Sequence, residues 1–286
     1  MTSLVVAAIQ MRSGTDPKAN IVTMEELARD AASRGATYIQ TPEMTGCLMR
    51  DKAALMASLK SGTDDPVVAA ASNLASELGV WFHLGSTPID AGDGMAANRA
   101  FVFSPDGALV TTYDKIHMFD VDLDNGESWR ESATYRPGKR AVTVEIADAR
   151  FGLAICYDIR FPQLFRAQAL AGAQVLTGPA AFTRQTGEAH WHVLQRARAI
   201  ENGAFVISAA QGGKHEDGRE TYGHSLVVDP WGQILAEADG DEPGIVLAEI
   251  DPAESARARA KVPNLKNARD FQIEDATPST VAKVAL

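Results

Sequence analysis

Apolar positions recur along this chain in two alternating rhythms. Leu4 to Ile9 is a continuous apolar run, which predicts a strand covered on both faces. From Pro17 onward Ile21, Met24, Leu27 and Ala31 fall at helical spacing, with Gly35 as the stop. Tyr38 to Gln40 predicts a second short strand, broken by Thr41-Pro42. The cycle then repeats, with a helix opening at Pro66 and closing at Gly79, and a strand over residues 80–84. Strands alternating with helices of this length imply crossover units and a largely parallel, buried sheet.

Two hairpins interrupt that rhythm. VFSPDGALV (102–110) and VVDPWGQIL (227–235) each set Pro-x-Gly between apolar stretches. Proline presets φ and glycine supplies the permissive position of a tight turn. Between them the second half runs strand (151–155), helix (162–171), strand (175–176) and a long helix over Glu188–Asn202, closed by Gly203. The hairpins hold similar places in the element order. The pattern therefore suggests an α/β fold of two pseudo-symmetric halves, each a sheet with helices on one side. Packed sheet to sheet, these would form a four-layer α-β-β-α sandwich. Residues 1–261 are expected to form one domain. From Val262 the chain turns polar and weakly periodic, so 262–286 is expected to be a tail on the surface or on a partner subunit.

Composition narrows the function. With 37 acidic against 27 basic residues the formal net charge is −10, the wrong sign for tracking phosphates, so nucleic acid is not an expected partner. Two cysteines, Cys47 and Cys156, make no disulfide framework and fit a reducing cytoplasm. MTSLVVAAIQM has no basic n-region and reads as a strand, and no apolar run suits a membrane helix. No Gly-rich phosphate loop, dinucleotide fingerprint or short-spaced metal-ligand motif occurs. His190 and His192, two apart on one helix, face away from each other.

Cys156 ends the run FGLAIC just before a helix opening at Pro162. Such a strand-to-helix turn is where α/β folds place their sites, although a buried structural cysteine would read the same way. Glu43, after Thr41-Pro42, and Lys115, after the strand reaching Tyr113, are each bland alone. Glu131 could equally be an exposed acid in a polar loop.

Their context is what distinguishes them: TPEMTG, YDKIHMFD and GLAICYDIRFP, in that order along the chain. In these motifs the sequence resembles the nitrilase, or carbon-nitrogen hydrolase, superfamily. Residues 181–206 and 209–232 resemble its branch of deaminated-glutathione amidases, with the ω-amidases as near relatives. The resemblance implies the four-layer sandwich and a catalytic set of Glu43, Lys115 and Cys156, with Glu131 as a second glutamate lining the site.

The reaction so implied is hydrolysis of a small amide through a thioester, needing no metal or organic cofactor. Cys156 attacks the carbonyl, Glu43 takes and returns the proton, and Lys115 with the Tyr157 backbone N–H holds the oxyanion. A nearby cation lowers a thiol's pKa, and burial beside a second acid raises a carboxylate's. Lys115 and Glu131 are expected to narrow the Cys156–Glu43 gap in that way. Arg160 is a candidate anchor for a substrate carboxylate, or else the partner of Asp158. Thr186 is a weaker candidate for the same contact, or else a helix cap. Reactions on shorter keto-acid amides, nitriles or N-carbamoyl amines, and acyl transfer to an amine, use the same residues. The family resemblance also implies a homodimer or larger homo-oligomer.

Overall fold

The computed structural model of the chain describes residues 3–123, 126 and 128–274. Its centre is a pair of six-stranded sheets. In the first, Leu4–Gln10, Tyr38–Gln40 and Trp81–Asp90 run parallel. They are extended by antiparallel Ala96–Phe103 and Leu109–Asp114 on one side and Gly244–Ile250 on the other. In the second, Ala149–Leu153, Val175–Thr177 and Phe205–Ser208 run parallel. They too are flanked by two antiparallel strands, Leu226–Val228 and Ile234–Glu237, and on the far side by Val142–Ile146. The two sheets thus share one topology, and the two Pro-x-Gly hairpins hold equivalent places in it.

The layering follows from side-chain alternation in the strands. Ala7, Ile9, Ile39, Phe101 and Phe103 face helices Pro17–Ser33 and Pro66–Leu78, packing with Met24, Ala28, Val67 and Leu74. Their neighbours Val6, Ala8, Tyr38, Ala100 and Val102 face the second sheet, packing with Phe151, Leu153 and Val175. The rings of Tyr38 and Phe151 meet across the interface at 5.0 Å. Helices Pro162–Leu170 and Arg184–Asn202 cover the outer face of the second sheet through Leu164, Phe165, Trp191 and Ala199. The architecture is the four-layer α-β-β-α sandwich.

Several boundaries differ from the sequence reading. The long helix begins at Arg184, four residues before Glu188. Gly187 falls within its first turn, and a Cβ at that position would lie 2.3 Å from Cβ of Tyr222, so this glycine serves close packing inside a helix. The strand before Cys156 ends at Leu153, leaving Ala154 and Ile155 to form the turn. Helices Lys52–Ser58 and Ala253–Lys261 lack an apolar stripe and were not anticipated. Residues 263–274 of the expected tail are largely exposed, and 275–286 lie outside the described residues. Among the described residues, no helix is long and apolar enough to cross a membrane.

Between the sheets lies a fully buried histidine. His83 Nδ1 is 2.8 Å from the Tyr38 hydroxyl, and burial holds the ring's pKa down to about 3. The unfolded chain binds a proton near pH 6.5 and the folded chain does not, so acidification through that range favours unfolding. Lowering the pH from 7 to 5 should therefore remove about 2 kcal/mol of stability through this residue alone. Denaturant titrations of wild type and His83→Gln at both pH values check it. A wild-type pH dependence equal to that of His83→Gln would refute the assignment.

Candidate active site

The predicted residues meet at one end of the paired sheets. Glu43 stands three residues beyond strand Tyr38–Gln40, and Cys156 three beyond Ala149–Leu153. Both stand at left-handed turns, with φ +48° at Cys156 itself and +57° at Met44, next to Glu43. Such conformations cost non-glycine residues roughly 1–3 kcal/mol and persist only where surroundings enforce them.

At Cys156 the enforcing group is Asp158, which has no solvent exposure. Its Oδ2 accepts the Ile155 N–H at 2.9 Å and the Tyr113 hydroxyl at 2.7 Å. Its Oδ1 accepts the His117 N–H at 3.1 Å and lies 2.7 Å from His117 Nδ1. At Glu43 the approach is made possible by Gly85, where a Cβ would sit 2.0 Å from the Thr41 carbonyl oxygen. Ser86 then accepts the Met44 N–H through Oγ and the Thr45 N–H through its carbonyl, each at 2.9 Å.

Lys115 Nζ donates to Glu43 Oε1 at 2.8 Å and to both oxygens of Glu131, at 2.9 and 2.8 Å. Glu43 Oε2 accepts the Ala181 N–H at 2.9 Å, and the same carboxylate acts on the Cys156 thiol, raising its pKa. Glu131 is not the exposed loop acid its surroundings allowed: its side chain is 12% exposed, and it accepts the Phe119 N–H at 2.6 Å. The Tyr157 N–H has no acceptor among the described residues, leaving it free for a developing oxyanion.

Asn98 was missed. Its Nδ2 donates to Glu43 Oε1 at 2.8 Å and to Glu131 Oε1 at 3.3 Å, setting the two carboxylates side by side. The signal was present: an asparagine on the inward-facing row of an otherwise apolar strand, with 1% exposure, is costly unless partnered.

The charge states differ from expectation. Burial raises the Cys156 thiol well above its ordinary value, Glu43 raises it further, and Lys115 offsets only part. Burial also pushes the Glu43 carboxyl up, but the Lys115 charge and hydrogen bonds from Lys115, Cys156 and Asn98 bring it below its ordinary value. Burial opposes the Lys115 charge, yet Glu131, Glu43 and the thiol hold it well above the usual lysine range. Glu131 is raised by burial and by Glu43, against Lys115. The thiol–carboxylate gap is therefore widened, not narrowed. Burial and the Glu43 charge outweigh the Lys115 charge at the sulfur, so the resting thiol keeps its proton.

These groups line a cavity of about 360 Å³ that also touches Tyr157, Phe182 and Thr186. The Thr186 hydroxyl is 2.8 Å from the Thr183 hydroxyl, within the first turn of the long helix. Arg160 does not line the cavity. Its guanidinium lies over the rings of Phe182 and Tyr157, at 5.4 and 6.0 Å, and reaches His190 at 3.2 Å. Its expected pairing with Asp158 is thereby corrected, since Asp158 is occupied by Tyr113 and His117; its guanidinium stands behind two cavity-lining rings, Tyr157 and Phe182. Besides Lys115 the cations that line the cavity are Arg50, Lys52, Arg130 and Arg219, and Arg50 and Arg219 stand 4.4 and 4.8 Å from the Trp129 ring. Arg219 is paired with Asp217 at 2.8 Å. Neither arginine had a sequence signal, because only the fold brings residues 50, 129 and 219 together.

Comparison with known proteins adds a second line of observation. The family model for carbon-nitrogen hydrolases matches residues 5–260. A deaminated glutathione amidase of Synechocystis sp. is 38% identical over 271 residues, spanning 93% of this chain and 98% of that protein. The crystal structure of the C. elegans NitFhit protein superimposes with a TM-score of 0.86 at 32% identity, covering 93% of this chain and 65% of that longer one. An amidase mutant from Nesterenkonia sp. AN1 has a TM-score of 0.79 at 25% identity, covering 93% of this chain and 94% of its own. That structure shows covalent addition of the acetamide moiety of fluoroacetamide at the active site cysteine.

Proposed function

This chain belongs to the carbon-nitrogen hydrolase family, and from that premise we propose that it is an amidase acting on a small carboxylate-bearing amide of the deaminated-glutathione type. The observation that carries this reading is the convergence of Glu43, Lys115 and Cys156 in one cavity whose rim presents Arg50. Deaminated glutathione carries a carboxylate at each end, which suits a cavity with a cationic mouth.

In the mechanism we assign, the Cys156 sulfur adds to the amide carbonyl as its proton passes to Glu43. Because the resting proton stays on sulfur, transfer accompanies C–S bond formation and no free thiolate precedes it. Lys115 and the Tyr157 N–H stabilise the oxyanion, a charge present only along the reaction path. Glu43 then gives its proton to the departing amine as the C–N bond breaks. It next takes a proton from water, which releases the acid and restores the thiol. Glu131 and Asn98 hold Lys115 and Glu43 in register, and Thr186 helps shape the wall. A cytoplasmic location accords with two unpaired cysteines. A homodimer accords with exposed Val193 and Ile200 on the long helix and exposed Trp231 in the hairpin turn before Ile234–Glu237, and light scattering reads that state directly.

The pKa directions make a kinetic prediction. Glu43 is needed ionised and is held below its ordinary 4.5, while the thiol is needed protonated and is held well above 9.0. The value of kcat/KM should therefore be flat from about pH 5 to 9. A bell centred near neutrality would contradict the assigned charge states.

Substrate class is tested on a panel of deaminated glutathione, a shorter α-keto acid ω-amide, a nitrile, an N-carbamoyl amine and a neutral amide, with products identified. Deaminated glutathione should show the highest kcat/KM. Arg50→Met removes a charge-assisted contact of roughly 1.5–3 kcal/mol, so acidic amides should lose about ten- to a hundredfold and the neutral amide little. An unchanged acidic-to-neutral ratio would remove Arg50 as the anchor. A faster nitrile or carbamoyl reaction, or transfer to an added amine, would displace the amidase reading.

A further inference from the structure

Away from the cavity, three side chains from three segments converge on one point. His192 projects from helix Arg184–Asn202, His224 from the loop before strand Leu226–Val228, and Glu237 from the end of strand Ile234–Glu237. His192 Nε2 lies 2.6 Å and His224 Nδ1 2.8 Å from the same atom, Glu237 Oε1. One donor atom from each residue falls within 4.8 Å of the others. We propose that His192, His224 and Glu237 form a binding site for a divalent transition-metal ion of the zinc class, separate from the hydrolytic site.

The donor set selects the ion. Two imidazole nitrogens and one carboxylate oxygen suit zinc, cobalt or nickel, whereas calcium and magnesium prefer oxygen alone. Without a metal, each ring must present an N–H to one shared oxygen. With a metal, each coordinates as a neutral ring through a lone pair, its proton on the other nitrogen. Metal–ligand distances of about 2.0–2.1 Å set tetrahedral donor atoms roughly 3.3 Å apart, so the two nitrogen–oxygen separations, 2.6 and 2.8 Å, need to widen by only about half an ångström.

The segments are held for this before any ion arrives. The Trp191 indole N–H donates to the His224 carbonyl at 2.8 Å, locking the helix against the loop beside both histidines. His224 has φ +56°, a left-handed conformation unusual for a non-glycine residue, and its N–H donates to the Gly240 carbonyl. Strand pairing sets Glu237 directly opposite Leu226, two residues past His224. The Tyr222 ring stacks on His224 at 4.3 Å, and His192 meets both rings edge-on. The three side chains remain 26–32% exposed, so an ion can enter and keep water in its remaining positions.

None of the trio lines the hydrolytic cavity, but Glu220 and Thr221 do. A metal here would brace that wall against the long helix, a structural and not a hydrolytic role.

The test uses the full chain, stripped with chelator and dialysed, carrying Cys156→Ala so that the thiol cannot compete for metal. Titration with cobalt should bind one equivalent and give the visible d–d absorption of a low-coordinate nitrogen–oxygen site, without a thiolate charge-transfer band. Zinc should displace the cobalt. At a hundredfold excess over Kd zinc should raise Tm by about 4 °C. His192→Ala and Glu237→Gln should each weaken cobalt binding at least roughly tenfold. The same two substitutions in the Cys156 enzyme should leave amide hydrolysis intact, which excludes misfolding as the cause. Absence of stoichiometric cobalt or zinc binding, or binding unchanged in His192→Ala and Glu237→Gln, would overturn the proposal.

Discussion

Cys156→Ala is expected to leave a folded protein whose kcat/KM for amide hydrolysis has fallen by at least about 10⁴-fold. The sulfur forms the bond that carries the acyl group, and in the assigned mechanism no other nucleophile reaches the carbonyl. Glu43 could still direct a water molecule, but water would have to displace the amine in one step. Cys156→Ser should do little better, because Glu43 is held below its ordinary pKa and is too weak a base for an alcohol. Stability should change by no more than about 1–2 kcal/mol, since one small buried atom is removed and the backbone turn remains. Intact-mass measurement after exposure to an activated ester supplies the second readout. Wild type should gain the acyl mass and Cys156→Ala should not. Residual hydrolysis above about 1% of wild type would remove Cys156 as the nucleophile.

Lys115→Met should combine a large kinetic loss with a large structural one. Lys115 is 2% exposed and is the shared partner of two buried carboxylates. Deleting it leaves Glu43 and Glu131 as neighbouring like charges, which costs about 3–5 kcal/mol of stability. It also removes the oxyanion's fixed charge, worth roughly 10³-fold or more in kcat.

The pH dependence of the variant has a definite sign. Without the ammonium, burial and mutual repulsion raise the carboxyl pKa values in the folded state above those in the unfolded chain. The stability of Lys115→Met should therefore fall as pH rises from about 4 toward 7. The double substitution Lys115→Met with Glu131→Gln separates the two roles. It removes one unpaired charge, so stability should recover by about 2 kcal/mol or more while activity stays low. Recovery of both together would mean that Lys115 acts only as a structural counter-ion.

What the sequence determined by itself is what local spacing encodes. The apolar run at Leu4–Ile9, the helical recurrence from Ile21 to Ala31 and the two Pro-x-Gly hairpins are set by period and turn chemistry. All three survive into the fold with boundary shifts of a few residues. The set of Glu43, Lys115 and Cys156 was legible only through the resemblance of their motifs to the carbon-nitrogen hydrolases; in the fold each stands just past a strand, in a short motif whose neighbours serve the turn it occupies. Asp158 is one such neighbour, two residues from Cys156 and fixing the turn through the Ile155 N–H.

Only the tertiary structure decided which side chains share a space. Arg160 is near Cys156 in sequence, yet its guanidinium lies against Phe182 and Tyr157 and not on Asp158. Arg50 and Arg219 flank Trp129 from segments with no local relationship. His192 read as a poor ligand beside His190, because residues two apart on a helix diverge. Its actual neighbours, His224 and Glu237, arrive on a loop and a strand that only sheet pairing brings to the helix. The same holds for charge. The expected direction of the Cys156 and Glu43 shifts followed from listing their neighbours. The direction the folded site imposes follows from distance and burial, since Lys115 sits 2.8 Å from Glu43 while burial and Glu43 outweigh it at the sulfur. Periodicity acts through the backbone over a few residues, whereas electrostatics and side-chain contact act through space, and the chain encodes that space only once folded.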